Sequence, residues 1–398
     1  MKINIKALYQ TEGYRVEKIN TDGERAQVDL LWDERCKPKC TACQEPMRIN
    51  RKVRQSATDL PLASASFVGI VYEAVQGYCR HCAHYETLRP LGIVEAHKAT
   101  LRLMRQVSLL CRWLPLPRIC ELYPVPPSTA YRWDKYILRT ELPEPRFEGL
   151  EAILVDEKAI QKGSGGFVTI VLNARTGELL HMAEGRRKES LESFFAKLTT
   201  EQKDGIVAVG MDRSGPYRAV VGEHLPKASI IFDRFHIIAN YHEVIDSVRR
   251  RSFAKTSGEK RSFIKGQRFN LFRHPDQLKG DAKAALAKWL EANLDINTVY
   301  VLKDGLQQIW TYRYAKSAGK ALEGWVELAI DTGIPELERF ANGLLKAKDQ
   351  IISFCKHQIT SARIESFNAA IQRVIQKSCG ISNLDYLWLE LRQISLQP

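Results

Sequence analysis

No run of about 18 apolar residues, the length a helix needs to cross a bilayer, occurs in the sequence. The opening segment, MKINIKALYQ, also lacks the apolar stretch of a secretory leader. Internal repeats and low-complexity tracts are missing, which argues against solenoids and disordered linkers. Acidic residues are the scarce charge: 46 Asp and Glu stand against 59 Lys and Arg, a formal net charge of +13 over 398 residues. The 44% hydrophobic and 26% charged content is globular, so disorder, collagen and a pure coiled coil are excluded. At about 150 residues per domain, the length suggests two or three domains. A soluble intracellular chain without a membrane partner is expected, and the basic surplus favours a polyanion such as nucleic acid.

There are nine cysteines, an odd number, and four of them form two C-x-x-C pairs. An intracellular chain of this size has little use for a disulfide framework, so paired spacing reads as metal. Cys40-Thr-Ala-Cys43 and Cys79-Arg-His-Cys82 would place four thiolates around one structural Zn²⁺, closing its coordination shell. Cys36 lies close by and could replace Cys40, although the knuckle spacing favours Cys40. Around these pairs the residues read as short strands. A hairpin is signalled by Asp22-Gly23 between 15–19 and 26–31, and another strand begins at Phe67. Residues 1–95 are therefore expected to form a zinc-ribbon domain.

Residues 96–147 read as helical. Leu103, Val107, Leu110 and Leu114 recur at helical spacing, a short helix follows near 117–122, and a Pro-rich turn ends it. Ser128 is the expected N-cap of a third helix over 129–139. Ala130, Trp133 and Ile137 would face inward there, leaving Thr129, Arg132, Lys135 and Arg139 outside. Helix, short helix, turn and basic helix is a helix-turn-helix pattern whose last helix enters the major groove of DNA. A helical spacer with a solvated basic face is the alternative.

From residue 148 onward the pattern changes to mixed α/β. Apolar strands end in Asp156, Asp212 and Asp233, with a β-hairpin after the first and helices at 190–198 and 217–225. That order fits a ribonuclease-H-like sheet. Basic helical sequence then runs from about 240 to 358, including Arg249, Arg250, Arg251 and Lys260-Arg261, and is too long for a structureless loop. It is expected to fold on its own as an all-helical insertion. Trp289, Trp310 and Trp325 within it could stack on a flipped base, but tryptophans at helical spacing usually belong to the core. A last helix begins near 361, with Ile364, Phe367, Ile371 and Val374 on its buried face and Gly380 as its stop. The fold class is thus multidomain α+β, with a catalytic domain over 148–398.

Ligands in α/β sheets collect at the carboxyl ends of strands. If the strands of Asp156 and Asp212 are neighbours, their carboxylates project from one edge, and a third acid from the last helix could complete a site for two Mg²⁺ ions. Hard oxygen ligands suit Mg²⁺, which can activate a water or a 3′-hydroxyl and stabilise the leaving oxygen. Strand-end aspartates also cap helices, and Glu157 alternates to the other face of its strand.

Val155-Asp156-Glu157, Gly210-Met211-Asp212 with Tyr217, Phe232-Asp233-Arg234-Phe235-His236 and Ser361-Ala-Arg-Ile-Glu365-Ser-Phe-Asn368 resemble the DDE transposases of bacterial insertion sequences. Within them the ISL3 (ISL-three) family is the nearest match, and Val248-Arg249-Arg250 after the Asp-Arg-Phe-His stretch strengthens it. That family carries a zinc ribbon and a helix-turn-helix, so the resemblance spans nearly the whole chain. It implies Asp156, Asp212 and Glu365 as the catalytic acids, holding two Mg²⁺ (or Mn²⁺) ions, with Asp233 and His236 as accessory residues. It also implies double-stranded DNA as partner, both the terminal inverted repeats and the target. A homodimer on DNA and a bacterial cytoplasmic, nucleoid-associated location follow from the same resemblance. The extra Cys36 and the absence of a Cys-Pro dipeptide at the first knuckle depart from the family pattern. A DNA-binding regulator without catalysis could use the same N-terminal parts, and a nuclease that hydrolyses without joining could use the same acids.

Overall fold

The computed structural model describes residues 9, 12–62, 65–161, 166–254, 271, 280, 284, 286, 290, 293–359, 362–378 and 383–396. Lys260-Arg261, Trp289, Ser361 and Gly380 lie outside them. The chain forms two compact units. The first joins Met1–Pro143 to Val374–Gln393, and the second joins Glu144–Arg373 to Ile394–Pro398. This differs from a division into three consecutive parts, because a C-terminal segment packs with the N-terminal unit.

In the first unit, β1 (Tyr14–Asp22) and β2 (Arg25–Trp32) form the hairpin signalled by Asp-Gly, with Gly23 in the left-handed region at φ 55°. β2 runs parallel to β4 (Phe67–Cys79), which pairs antiparallel with both β3 (Arg48–Asp59) and β5 (His84–Leu88). Two short strands, β6 (Ile93–Val94) and β7 (Ala99–Thr100), complete the sheet beyond β3. Alternate residues of β4, among them Val68, Ile70, Tyr72 and Ala74, are buried against Val28, Leu30 and Trp32 of β2. Strands β3 and β4, at 12 and 13 residues, are longer than the short strands expected. The reason lies in composition: Arg-Ile-Asn-Arg-Lys-Val-Arg-Gln holds almost no apolar alternation, so its pairing with β4 is invisible to pattern.

The carboxylate that ends β3 ties this sheet to the next helix. Asp59 is buried, accepts hydrogen bonds from Thr100 Oγ1 (2.5 Å) and Arg102 Nε (2.8 Å), and forms an ion pair with the same guanidinium. Thr100 in turn caps helix α1 (Leu101–Cys111) by accepting from the Leu103 N–H. Burial alone would push the Asp59 carboxyl up. The bonds from Arg102 and Thr100 outweigh it and hold the group below its usual range.

Helices α2 (Leu116–Leu122) and α3 (Pro127–Glu141) follow α1, and Leu103, Val107, Ile119, Ala130, Trp133 and Ile137 form their shared core. The inward positions expected on the third helix are all buried. Ser128 is not its N-cap: the helix starts two residues earlier than expected, at Pro127, with Pro126 in the cap position and no side-chain cap bond. Proline lacks an N–H and has its φ preset for a first helical turn, so this start needs no capping oxygen.

The returning segment supplies the end of helix α13 (Ala362–Lys377) and most of α14 (Leu384–Ser395). Buried Asp134 of α3 accepts from Ser108 Oγ at 2.6 Å and from the Tyr386 hydroxyl. Lys377 Nζ donates to Glu390 Oε1 (2.6 Å) and to the Cys111 carbonyl (2.7 Å), and buried Arg392 donates to the Pro143 carbonyl. Burial drives the Asp134 and Glu390 carboxyls upward in pKa, and only these close donors make their burial tolerable.

The second unit is built on a five-stranded sheet of order β10-β9-β8-β11-β12. β8 (Ala152–Ala159), β9 (Phe167–Asn173) and β10 (Leu179–Glu184) are antiparallel; β11 (Ala208–Met211) and β12 (Ser229–Phe232) are parallel to β8. Consecutive Ile153, Leu154 and Val155 are all buried, as a strand covered on both faces requires. Helices α4 (Lys188–Phe195), α5 (Thr200–Gly205) and α6 (Gly215–His224) connect these strands, and α7 (Arg234–Ala254) leaves β12. Then come α8 (Leu294–Gln308), α9 (Ala315–Asp331), α10 (Pro335–Leu345), α11 (Lys348–Ile352) and α12 (Phe354–His357). The expectation that this helical stretch folds by itself is corrected, since one apolar core runs from the sheet residues Val155 and Met211 to Trp325 and Leu344. Trp310 and Trp325 belong to that core and are not surfaces for stacking a base. Tyr241 of α7 meets Trp325 and Phe340 edge to face, with ring centroids 5.8 and 5.2 Å away.

Asp59→Ala should destabilise the first unit by about 1–3 kcal/mol, the cost of unpairing a buried polar group, because half-exposed Arg102 can return to water. Since the Asp59 pKa is lowered on folding, its contribution is present above the unfolded carboxyl range and disappears as pH falls through the folded value. Thermal unfolding of wild type and variant should therefore differ at pH 7 and converge in acid.

Candidate functional site

Two sites emerge, one in each unit. In the first, Cys40 and Cys43 lie between β2 and β3, Cys79 ends β4, and Cys82 sits in the turn to β5. Each knuckle is followed by a residue in the left-handed region, Gln44 at φ 63° and Ala83 at φ 54°, so the two loops share one backbone shape. Their four sulfurs lie within 4.8 Å of one another, with Cys43–Cys79 at 3.6 Å and Cys40–Cys82 at 4.0 Å. A Zn²⁺ bound at about 2.3 Å by four thiolates at tetrahedral angles needs sulfurs about 3.8 Å apart, so the donor set fits that ion. Glu86 braces the first knuckle by accepting from the Thr41 backbone N–H (3.0 Å) and hydroxyl (2.6 Å). Crowded sulfurs resist ionising together without a cation: the hydrogen bond with Cys43, then burial, pushes the Cys82 thiol up to about 12. Cys36 stands outside the cluster, its carbonyl accepting from Trp32 Nε1 at 3.1 Å.

The second site follows from strand register. β8 and β11 are parallel neighbours with Val155 opposite Met211, so Asp156 and Asp212 emerge at the same end of the sheet. Met211 is likewise opposite Phe232 of β12, which brings Asp233 to that edge. Gly210 permits the close approach: a Cβ there would lie 2.6 Å from Leu154 and 3.2 Å from Ile359. His236, in the first turn of α7, donates from Nε2 to Asp212 Oδ1 at 2.8 Å and lies 3.6 Å from Asp233 Oδ2. That hydrogen bond to Asp212 is the main reason the His236 pKa is pushed up to about 9. Asp233 also accepts from the Phe235 N–H, which anchors the helix start.

Asp156 is the most buried of these acids. Burial is the main cause that raises its pKa, with the Asp212 charge adding to it. Its Oδ1 accepts from the Glu157 backbone N–H (2.8 Å) and its Oδ2 from Asn368 Nδ2 (2.6 Å) on α13. Asp156, Asp212 and His236 present ligand atoms within 4.8 Å of one another. Glu365 is exposed and does not join that cluster; it stands one turn before Asn368 on the same face of α13. Ile364, Phe367, Ile371 and Val374 are buried, as their spacing requires. Sequence reasoning named Asn368 only as the end of the motif that contains Glu365 and gave it no role in the site.

Of the residues expected to face DNA, Arg132 is exposed and is held to the first turn of α3 by Ser128 O and Thr129 Oγ1, each at 3.3 Å. Lys135 donates to Asn383 (3.4 Å), and Arg139 lies 3.7 Å from Asp385 near the start of α14. Arg249 is buried and bound to Asp246, and Arg251 pairs with Asp295 and Glu336. Arg250 is the exposed member of the run, although it too reaches Asp246.

A carboxylate pair at a sheet edge in one unit and a four-cysteine centre in the other have a counterpart among known proteins. Residues 153–391 match the ISL3 family model described as a transposase, and the chain belongs to this family of DDE transposases. It is 28% identical over 393 residues to the transposase for insertion sequence element IS1001 of Bordetella parapertussis, covering 96% of this chain and 95% of that one. The transposase for element IS1557 of Mycobacterium tuberculosis is 26% identical over 264 residues, covering 61% of this chain and 59% of its own.

Metal analysis of the purified chain should find one zinc in wild type and in Cys36→Ser, and none in Cys79→Ser. Removing the ion with a strong chelator should loosen the two knuckles, whose small apolar cluster around Met47 gives them little folding energy without the metal. Retained zinc in Cys79→Ser would break this assignment.

Proposed function

We propose that this transposase binds the terminal inverted repeats of its insertion sequence, hydrolyses the phosphodiester at each end, and joins the freed 3′-hydroxyl to target DNA. The observation that carries the reading is the meeting of Asp156 and Asp212 on adjacent parallel strands. Three antiparallel strands followed by two parallel ones, with acids at the shared edge, support a ribonuclease-H-like catalytic domain over 148–398. Residues 1–95 are the zinc ribbon and 96–147 the helix-turn-helix, completed by the returning C-terminal segment.

Asp156, Asp212 and Glu365 would hold two Mg²⁺ (or Mn²⁺) ions. Hard carboxylate oxygens suit these cations, and a cation beside Asp156 would offset the burial and like charge that disfavour its ionised form. When bound, such ions lower the pKa of the attacking water or hydroxyl and stabilise the leaving oxygen. The chain itself fixes the geometry. The β8–β11 register sets the spacing of the two aspartates, Glu157 N–H and Asn368 orient Asp156, and His236 orients Asp212. Glu365 would reach the site from the exposed face of α13, and Asp233 with His236 serves as an accessory pair.

DNA recognition falls to α3. Thr129 and Arg132 at its first turns address base edges, Lys135 and Arg139 lie toward α14, and Arg250 tracks phosphates with its neighbours Arg249 and Arg251 in support. Two ends must be paired for joining, which argues for a homodimer on DNA, acting in the bacterial cytoplasm at the nucleoid.

The test is labelled DNA bearing the element's end, incubated with Mg²⁺ or EDTA. Wild type should produce Mg²⁺-dependent 3′-hydroxyl ends and joined products; Asp156→Asn and Glu365→Gln should reduce both to background while binding the end normally. Cleavage by Asp156→Asn at the wild-type rate overturns the assignment. End binding without cleavage, in a folded and zinc-loaded wild-type preparation, would favour a regulator. Arg132→Ala should weaken end binding by about 1–3 kcal/mol, in the range of a lost base contact, and relax sequence preference. Equal weakening on unrelated DNA would make Arg132 a phosphate contact instead.

A further inference from the structure

We infer that Asn368 is a working member of the metal site, holding Asp156 with its amide nitrogen and offering its amide oxygen to the hydrated cation. The inference rests on the reading of Asp156 as a metal ligand. Asn368 Nδ2 donates to Asp156 Oδ2 at 2.6 Å, across 212 positions of sequence. Its Oδ1 is buried and has no hydrogen-bond partner among the described residues. A buried acceptor without a donor is costly, and such atoms call for a specific explanation.

Turning the amide over does not remove the difficulty. The exchange would aim Oδ1 at a carboxylate that already accepts the Glu157 N–H, placing two acceptors face to face. The orientation with Nδ2 on Asp156 is therefore the chemically sound one. Amide nitrogen and oxygen lie about 2.3 Å apart, so Oδ1 is no farther than about 5 Å from Asp156 Oδ2. A hydrated divalent ion on Asp156 spans that distance, either directly or through a water that it retains. Neutral Asn does this without a further negative charge, at an edge where Asp156 already feels Asp212.

Asn368 also explains how α13 meets the sheet. The contact to β8 is made by the side chain one turn after Glu365, on the same helical face. Losing Asn368 would free the outer oxygen of Asp156 and remove one oxygen from the cation's surroundings. Partners that orient metal ligands usually carry a 10- to 100-fold share of affinity.

The experiment is titration of the full-length, zinc-loaded chain with Mn²⁺, reading free ion by electron paramagnetic resonance. Wild type, Asn368→Ala, Asn368→Asp and Asp156→Asn are compared, with circular dichroism and thermal unfolding as checks of folding. Asn368→Ala should raise the Mn²⁺ dissociation constant about tenfold or more. Asn368→Asp, which keeps an oxygen at the Oδ1 position, should bind Mn²⁺ more tightly than Asn368→Ala. Wild-type affinity in Asn368→Ala alongside weakened Asp156→Asn overturns the inference and leaves the role of Asp156 intact. Unchanged affinity in both overturns the reading of Asp156 as well. If Asn368→Ala does not fold, Asn368→Asp decides: Mn²⁺ binding weaker than wild type overturns the inference, and binding at least as tight as wild type upholds it.

Discussion

The pairing of β8 with β11 in parallel, Val155 opposite Met211, is the constraint on which the rest of the second unit depends. Parallel register places the residues after those two positions side by side, and both are aspartates. A sheet edge covered by helices makes that proximity electrostatically expensive, because burial and like charge both disfavour ionising the second group. The groups that gather there are donors to one acid or the other: the Asn368 side chain and the Glu157 backbone N–H on Asp156, His236 on Asp212. Each donor comes from a different element, so the edge fixes where β8, α7 and α13 must lie.

Covering the edge requires apolar mass, and the helices after α7 provide it. The core continues from Val155 and Met211 through Tyr241 to Trp325, Phe340 and Leu344, which is why this long stretch does not stand apart as its own domain. Tyr241 donates its hydroxyl to the Val299 carbonyl and Trp325 its indole N–H to the Leu302 carbonyl. Those polar tips are satisfied inside the core, as buried aromatics require. The tryptophans thus fix helix packing, and DNA contact must be sought on exposed side chains.

Much of this was legible in sequence because the relevant signals are local. An apolar strand ending in acid marks Asp156, Asp212 and Asp233, and two C-x-x-C pairs mark the four-sulfur cluster, from which Cys36 drops out. Asp-Gly marks the first hairpin, and apolar spacing marks α1, α3 and the buried face of α13. What escaped depends on long-range partners. Strand β3 is mostly polar and is defined by its pairing with β4, and Asn368 acquires meaning only through Asp156. Asp134 looks like a solvated residue on a basic helix until Ser108 and Tyr386 bury it. Ser128 misled because the prolines just before it start the helix without a side-chain cap.

The same distinction applies to charge. A surplus of +13 suggests a broadly adhesive surface, yet some of the positive groups are committed to internal partners. Arg249 is buried on Asp246, Arg102 holds Asp59, Lys377 holds Glu390, and Arg392 serves a backbone carbonyl. Groups bound in this way cannot release counterions from a phosphate without first breaking an internal pair, so they add little to DNA affinity. Arg132, by contrast, stands at the exposed start of α3 with neutral oxygens as its neighbours. A guanidinium steadied by neutral acceptors keeps its full charge and its free N–H groups for a base or phosphate, whereas one paired with a carboxylate does not.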